Sequence, residues 1–284
     1  GLWDGKEPFK FWKAYANADK PFKIREFYVL NTLAPSLNLS MEMDELPFSV
    51  KPEKKVDLAT LSSLYRATYE GTQYDMTHKV KMIRKNYDKN RKETGQDTII
   101  SPVANPWLTT DMRNTLNYIA PGTIDFQRTV SVAWCSYSHI TQLRNWLPDE
   151  VGAVSWFSFD NPGQSPRIPV FAGALNVPAK WEVCGQKKYR EDAALWGFRK
   201  ANKLATVSWG KTSKIVMENV LDFENKAAME MPALEFKASA LIKEGKTEDA
   251  RKLLTGYSSD FSGAALQRWA NLEVKFWEMF GRGF

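Results

Sequence analysis

Residues 127–161, QRTVSVAWCSYSHITQLRNWLPDEVGAVSWFSFDN, form the stretch whose reading decides the fold. Its first part alternates, with Val130, Val132 and Trp134 on one face of an extended chain and Thr129, Ser131, Ala133 and Cys135 on the other. Successive side chains of a strand point to opposite faces, so this period of two predicts a half-buried strand headed by Arg128 and ending at Cys135. Its last part, AVSWFSF from Ala153, is apolar on both faces, as in a strand covered from both sides. A third short strand is expected over residues 168–172, and Pro169, which cannot donate to a ladder, places it at an edge or bulge.

Upstream, REFYVLNTL at residues 25–33 is rich in aromatic and β-branched residues between Pro21 and Pro35 and reads as another strand. Asp57 is a plausible N-cap for a helix over residues 58–69, where Leu61, Leu64, Tyr65 and Thr68 recur at helical spacing, and Gly71 suits a left-handed C-terminal cap. Residues 86–123, punctuated by Gly95, Pro102, Pro106, Pro121 and Gly122, read as a long irregular connection. Loops of that length are usually functional or covered by a partner.

Downstream of residue 191 the pattern turns helical. Leu195, Phe198, Ala201 and Ala205 mark one helix over residues 192–209. Val216, Val220, Phe223 and Ala227 mark a second over residues 212–229, with Pro232 dividing it from the next. PALEFKASALIKEGKTEDARKLLTGY predicts an antiparallel helix pair, Gly245 closing the first member and Thr247 capping the second. A last helix over residues 263–280 offers Leu266, Trp269, Phe276 and Phe280 for burial. The expected organisation is a sheet-containing portion with long loops at residues 1–190 and a helical region of the same domain at residues 191–284.

The 284 residues are 43% hydrophobic and 13% aromatic, enough to bury a sizeable core and unlike a disordered chain. The net charge of +6 sits largely in KVKMIRKNYDKNRK, residues 79–92, which reads as a solvated helix end and loop, with a site for an acidic partner as the alternative. It lacks the concentrated basic motif of a nucleic-acid binder, so no nucleic-acid partner is expected. No apolar run approaches the roughly 20 residues of a membrane-spanning helix. Cys135 and Cys184 belong to no metal or disulfide pattern, and His78 and His139 are too few for a zinc site, so no metal is expected.

No GxSxG elbow, phosphate loop, HExxH pair or dinucleotide fingerprint is present. A Cys135/His139 dyad is disfavoured, because residues four apart on one strand stand roughly 13 Å apart.

RATYEGTQYDMT (66–77), SPVANPW (101–107), residues 127–161 and IPVFAG (168–173) together resemble, in order and spacing, the C-terminal half of the dipeptidase A family of cysteine peptidases. These are N-terminal-nucleophile hydrolases to which the secernins are related. LWGF at 195–198 and the Trp-bearing last helix are similar to that family too. The resemblance implies an α+β fold, part of an α/β/β/α sandwich with antiparallel sheets and a helical C-terminal region. It also implies a peptidase without metal or organic cofactor, whose nucleophile is an N-terminal cysteine with its own α-amino group as general base.

This chain begins Gly1-Leu2-Trp3, departing from that pattern at the decisive position. The expectation is therefore a C-terminal portion, inactive alone, of a dipeptidase acting on short peptides through an acyl-enzyme. An N-terminal half of the same protein would carry the cysteine, and a homo-oligomer is left open. Alternatives are an amidase on another acyl amide and a non-catalytic peptide-binding or scaffold homologue. Export to the periplasm or beyond is the expectation by family analogy alone.

Among supporting residues the resemblance singles out Arg128, either near the nucleophile or on a substrate carboxylate, against the plainer reading of a salt-bridged strand end. Gln142 and Arg144 are candidates for donors to a peptide backbone, although structural hydrogen bonding is the commoner use. Tyr74 and Asp75 suit a cap better than a cleft. Asn105 and Asn161 are turn-prone residues beside prolines, with an oxyanion role as the alternative, and Asn161 joins Gln142 and Arg144 as a substrate-binding candidate.

Overall fold

The computed structural model describes residues 3–15 and 20–282, so Gly1 and Leu2, on which the expectation about the N-terminal position rests, lie outside the described residues. Asp57 starts the first helix that packs on the core. Its carboxylate accepts from the Thr60 backbone N–H at 2.8 Å, as an N-cap does, and α3 (Leu58–Arg66) follows. The helix ends three residues earlier than expected. Gly71, at φ +77°, serves a later turn and is not its cap.

Two short helices precede it, α1 (Phe11–Tyr15) and α2 (Ile24–Leu33). The strand expected at residues 25–33 is thus a helix. Ile24 and Phe27 lie one turn apart on the face that is buried, and the Glu26 carboxylate accepts from the Lys23 N–H at 3.1 Å. A buried stripe and a tied first turn outweigh β-propensity, which measures fit to a pleated surface and not a backbone preference.

Residues 86–123 are likewise structured. β1 (Lys81–Tyr87) and β2 (Glu93–Ile100) pair as an antiparallel hairpin, and α4 (Thr110–Ile119) starts at its Thr109 N-cap. The hairpin is exposed along almost its whole length, so it carries no apolar alternation to read. Its tip is drawn in by Asp88, which accepts from the N–H groups of Asn90 and Lys92, and Arg84–Asp97 and Lys85–Glu93 cross between the strands. The basic stretch is therefore a solvated strand and turn, not a helix end.

The second sheet has strand order β3–β4–β5, all antiparallel: β3 (Tyr137–Leu143), β4 (Ala153–Phe159) and β5 (Ile168–Phe171), with α5 (Asp149–Gly152) between the first two. β4 and β5 stand where the sequence places them, and Pro169 is on an edge strand. Residues 128–135 are not a strand but a loop leading into β3. Their alternation is real with its sense reversed: Thr129, Ser131 and Ala133 are buried while Trp134 is 64% exposed. Small residues face inward because neighbouring loops press close; the Ser131 N–H donates to the Ala67 carbonyl, and the Trp107 indole to the Ser131 carbonyl.

Among the described residues the C-terminal region holds three α-helices, α6 (Ala194–Ala205), α7 (Trp209–Lys243) and α8 (Thr247–Phe280). Pro232 does not divide α7. Val216, Val220, Phe223, Ala227, Met231 and Ala238 form one buried stripe across it, and that packing offsets the missing N–H. Gly245, at φ +76°, closes α7 as expected; Thr247 begins α8, with Lys246 at the cap position. The last helix starts at Thr247 instead of 263 and carries Trp269, Phe276 and Phe280 into the core. One apolar core joins β3–β5 to α6–α8. The fold is α+β, with antiparallel sheets and a long helical C-terminal region. Among the described residues no helix is long and apolar enough to cross a membrane.

Candidate substrate cleft

A cleft of about 480 Å³ opens between α3, the three-stranded sheet and α7. Strand alternation places its floor. Gln142 lies opposite Val154 and Ile140 opposite Trp156, so Gln142 and Trp156 share a face, and both line the cleft with Arg167 just ahead of β5. Ser62 comes from α3, and Glu224 and Glu235 from α7.

Charges around it are mostly spent on one another. Arg144 pairs with Glu235 at 2.6 Å and donates to the carbonyls of Val151 and Gly152 at 3.0 and 3.3 Å, fastening the β3–β4 connection to α7. Arg66 pairs with Glu224; burial first and the nearby Arg167 second push its pKa down to about 10. The Gln142 carbonyl accepts from the Trp156 indole at 3.1 Å, which orients its amide N–H₂.

Arg128 lies elsewhere. It is exposed, lines a second hollow of about 290 Å³ with Phe126 and Trp134, and holds its guanidinium carbon 5.5 Å from the Trp134 ring centroid. Among the described residues it makes no salt bridge; its carbonyl accepts from the Tyr69 hydroxyl at 3.0 Å. Lys203 closes the hollow, donating to the Ala133 carbonyl at 2.7 Å, and burial lowers its pKa.

Asn161 is fully buried. Its carbonyl accepts from the Ser131 hydroxyl and from the Gly163 N–H at 3.0 Å, and its amide donates to Gln164 at 2.9 Å. Beside it Asp160, at φ +58°, accepts from Arg199 at 2.6 Å and Asn202 at 3.0 Å, while the Trp269 indole donates to Asn202 at 2.9 Å. Buried polar groups survive only when hydrogen-bonded, and this network satisfies them while tying the β4–β5 turn to α6 and α8.

Asp75 caps a turn, accepting from the N–H groups of Gly71 and Thr77, and Tyr74 packs edge-on to Phe27. Asn105 accepts from the Trp107 N–H and donates to the Thr206 carbonyl. The Cys135 thiol donates to the Tyr137 carbonyl at 3.0 Å, and burial raises its pKa. His139 stacks on Tyr137 with ring centroids 6.4 Å apart. Cys184 is exposed. Among the described residues no cluster of His, Cys, Asp or Glu is fit to hold a metal ion.

The structure thus brings Gln142 and Arg144 to one cleft, Arg128 to another hollow, and Asn161 into the interior between loops. Sequence reasoning passed over Arg167. Its flanks, Pro166 before and an edge strand after, gave no sign that it is buried.

The sequence model of peptidase family C69 matches residues 2–221. The chain belongs to peptidase family C69. The match includes α3, the whole β3–β5 sheet, Arg128, Gln142, Arg144, Asn161 and Arg167, so the C69 resemblance read from the motifs holds across the sheet-bearing part of the chain. A probable dipeptidase of Latilactobacillus sakei is 21% identical over 248 residues, covering 81% of this chain and 44% of that relative. The C69 chain described here therefore spans less than half the length of the curated relative it matches.

Proposed function

We propose that this chain is the substrate-binding and scaffolding part of a cysteine-type dipeptidase. It would hydrolyse short peptides through an acyl-enzyme formed on a cysteine outside these 284 residues, in the N-terminal half of the same protein. Membership of C69 over residues 2–221 carries the reading, and the dipeptidase name of the relative supports the substrate class.

The surroundings of Cys135 support a nucleophile elsewhere. A nucleophilic thiol needs a lowered pKa or an adjacent base. Cys135 has the opposite: burial raises its pKa, and its sulfur is turned to a backbone carbonyl. In the proposed reaction the thiol of the external cysteine gives its proton to a base and its sulfur adds to the peptide carbonyl. The amine leaves with a proton, and water then cleaves the thioester. An α-amino group suits the base, since it titrates near neutrality. Arg128, exposed and without a carboxylate partner among the described residues, is proposed to face the thiolate or the substrate from the loop before β3.

The test is an assay of the full-length protein on alanyl-alanine and on N-acetylated amides lacking a free amine. Release of alanine, lost after iodoacetamide and retained in a Cys135→Ser, Cys184→Ser double variant, supports the proposal. Cleavage confined to the acyl amides would make the protein an amidase. Binding of the dipeptide without cleavage would make it a non-catalytic homologue.

A further inference from the structure

Three arginines stand at or behind the cleft wall, and two have carboxylate partners. Arg66 pairs with Glu224 and Arg144 with Glu235. Arg167 pairs with no carboxylate among the described residues: Nη1 donates to the Ser138 hydroxyl at 2.9 Å, and the guanidinium carbon lies 4.8 Å from the Tyr65 ring centroid. Its Nη2 has no hydrogen-bond acceptor among the described residues. Only 1% of the residue is exposed, yet it lines the cleft.

A buried guanidinium normally has an anion beside it, because a hydroxyl and a ring face repay little of the hydration it has lost. A second cation stands nearby, since like-charge repulsion from Arg167 helps to lower the pKa of Arg66. Burial pushes the pKa of Arg167 down to about 10, which leaves it cationic at neutral pH. The carboxylates lining the cleft do not answer it. Glu224 and Glu235 are held by the other two arginines, and Asp57 is spent on the Thr60 N–H.

The geometry points to Arg167 as the anchor for a carboxylate entering this cleft, namely the free C-terminal carboxylate of a short peptide. The inference rests on the dipeptidase reading for the identity of the ligand. A planar fork of donors with one amino group unoccupied suits a carboxylate, which can accept from two N–H groups at once. Recognition of that group would explain a preference for short substrates: an amide inside a long chain has no carboxylate to offer near its scissile bond. Ser138 and Tyr65 would hold the guanidinium in place, and the indole of Trp156 in the cleft wall supplies an optical probe of occupancy.

Alanyl-alanine and its C-terminal amide, titrated into the full-length protein after iodoacetamide has blocked turnover, with tryptophan fluorescence as readout, test the site directly. Loss of hydrogen bonds to a charged group predicts about a tenfold to hundredfold weaker affinity for the amide. Arg167→Met should erase that preference, and Arg167→Lys should keep part of it. The wild-type comparison and the lysine variant keep the test decisive if the methionine variant fails to fold.

Equal affinity for the two peptides, or no binding of either, overturns the proposal. So does a preference that survives in Arg167→Met. Should the wild type treat both peptides alike while Arg167→Lys melts lower, Arg167 serves a carboxylate of the protein itself.

The two readings also fail separately. Carboxylate-dependent binding without cleavage by the full-length protein keeps this site and removes the peptidase. Equal kcat/KM on alanyl-alanine and its amide keeps the peptidase and removes the site.

Discussion

Arg199 holds its Nε 2.6 Å from Oδ1 of Asp160, and this ion pair joins α6 to the turn that ends β4. Asp160 is fully buried and the Arg199 side chain is 13% exposed, so water cannot replace either partner. Asp160→Asn keeps the size and tolerates the positive φ but removes the charge. Breaking such a pair from one side costs about 3–5 kcal/mol. Urea denaturation should show that loss; an unchanged midpoint would mean that the network tolerates an unpaired Arg199.

Gly163 has no room for a side chain. A Cβ there would meet the Ser131 Oγ at 2.4 Å and the Trp107 ring at 3.3 Å. Gly163→Ala should push the loop before β3 away from the β4–β5 turn and cost about 1–3 kcal/mol by overpacking. Gly256→Ala, which meets nothing within 4 Å on α8, is the control and should be neutral or stabilising in the same melts.

Pro232 is an exposed residue inside a 35-residue helix. It cannot donate to the carbonyl one turn back, and a mid-helix proline costs about 3 kcal/mol relative to alanine before any relaxation. Pro232→Ala should therefore raise the Tm. A fall would show that α7 needs a bend at this point to follow the sheet.

The two thiols should differ in reactivity. Cys184 is exposed, whereas the partly buried Cys135 donates to a carbonyl and has a raised pKa. Only the thiolate attacks a disulfide reagent, so at pH 7.5 Cys184 should react first. The rate at Cys135 should climb with pH beyond the range where an ordinary thiol levels off. Stopped-flow traces of the two single variants separate the phases; a fast Cys135 at neutral pH would reopen it as a nucleophile.

Arg128→Ala in the full-length protein should lower kcat/KM by about tenfold or more, if its guanidinium meets the thiolate or the substrate. Unchanged kcat and KM would remove it from the site. Arg128 is exposed, and circular dichroism of the variant checks that the fold is intact.

What the sequence made legible follows from where burial writes a pattern. β4, β5, α6 and the buried stripe of α8 pack against the core, so their apolar spacing repeats what the structure buries. The β1–β2 hairpin buries almost nothing, and no alternation marks it. Residues 128–135 show the converse failure. Their alternation is genuine, but the small members face inward and the hydrogen bonds run to neighbouring loops, so an extended segment carries a strand's pattern without joining a sheet. In the cleft, Gln142 and Arg144 could be named from family motifs. The charge balance that singles out Arg167 depends on which carboxylates the other arginines occupy, and those partners come from α7, more than 50 residues later in the chain.

The central claim, that this chain serves a cysteine peptidase whose nucleophile lies outside it, is tested most directly by trapping the acyl-enzyme. The full-length protein would be quenched in acid during turnover of alanyl-alanine, digested, and its thioester located by mass spectrometry. An alanyl adduct on a cysteine other than Cys135 and Cys184 is the predicted result. An adduct on either of those two, or steady turnover with no cysteine adduct at all, would contradict the account.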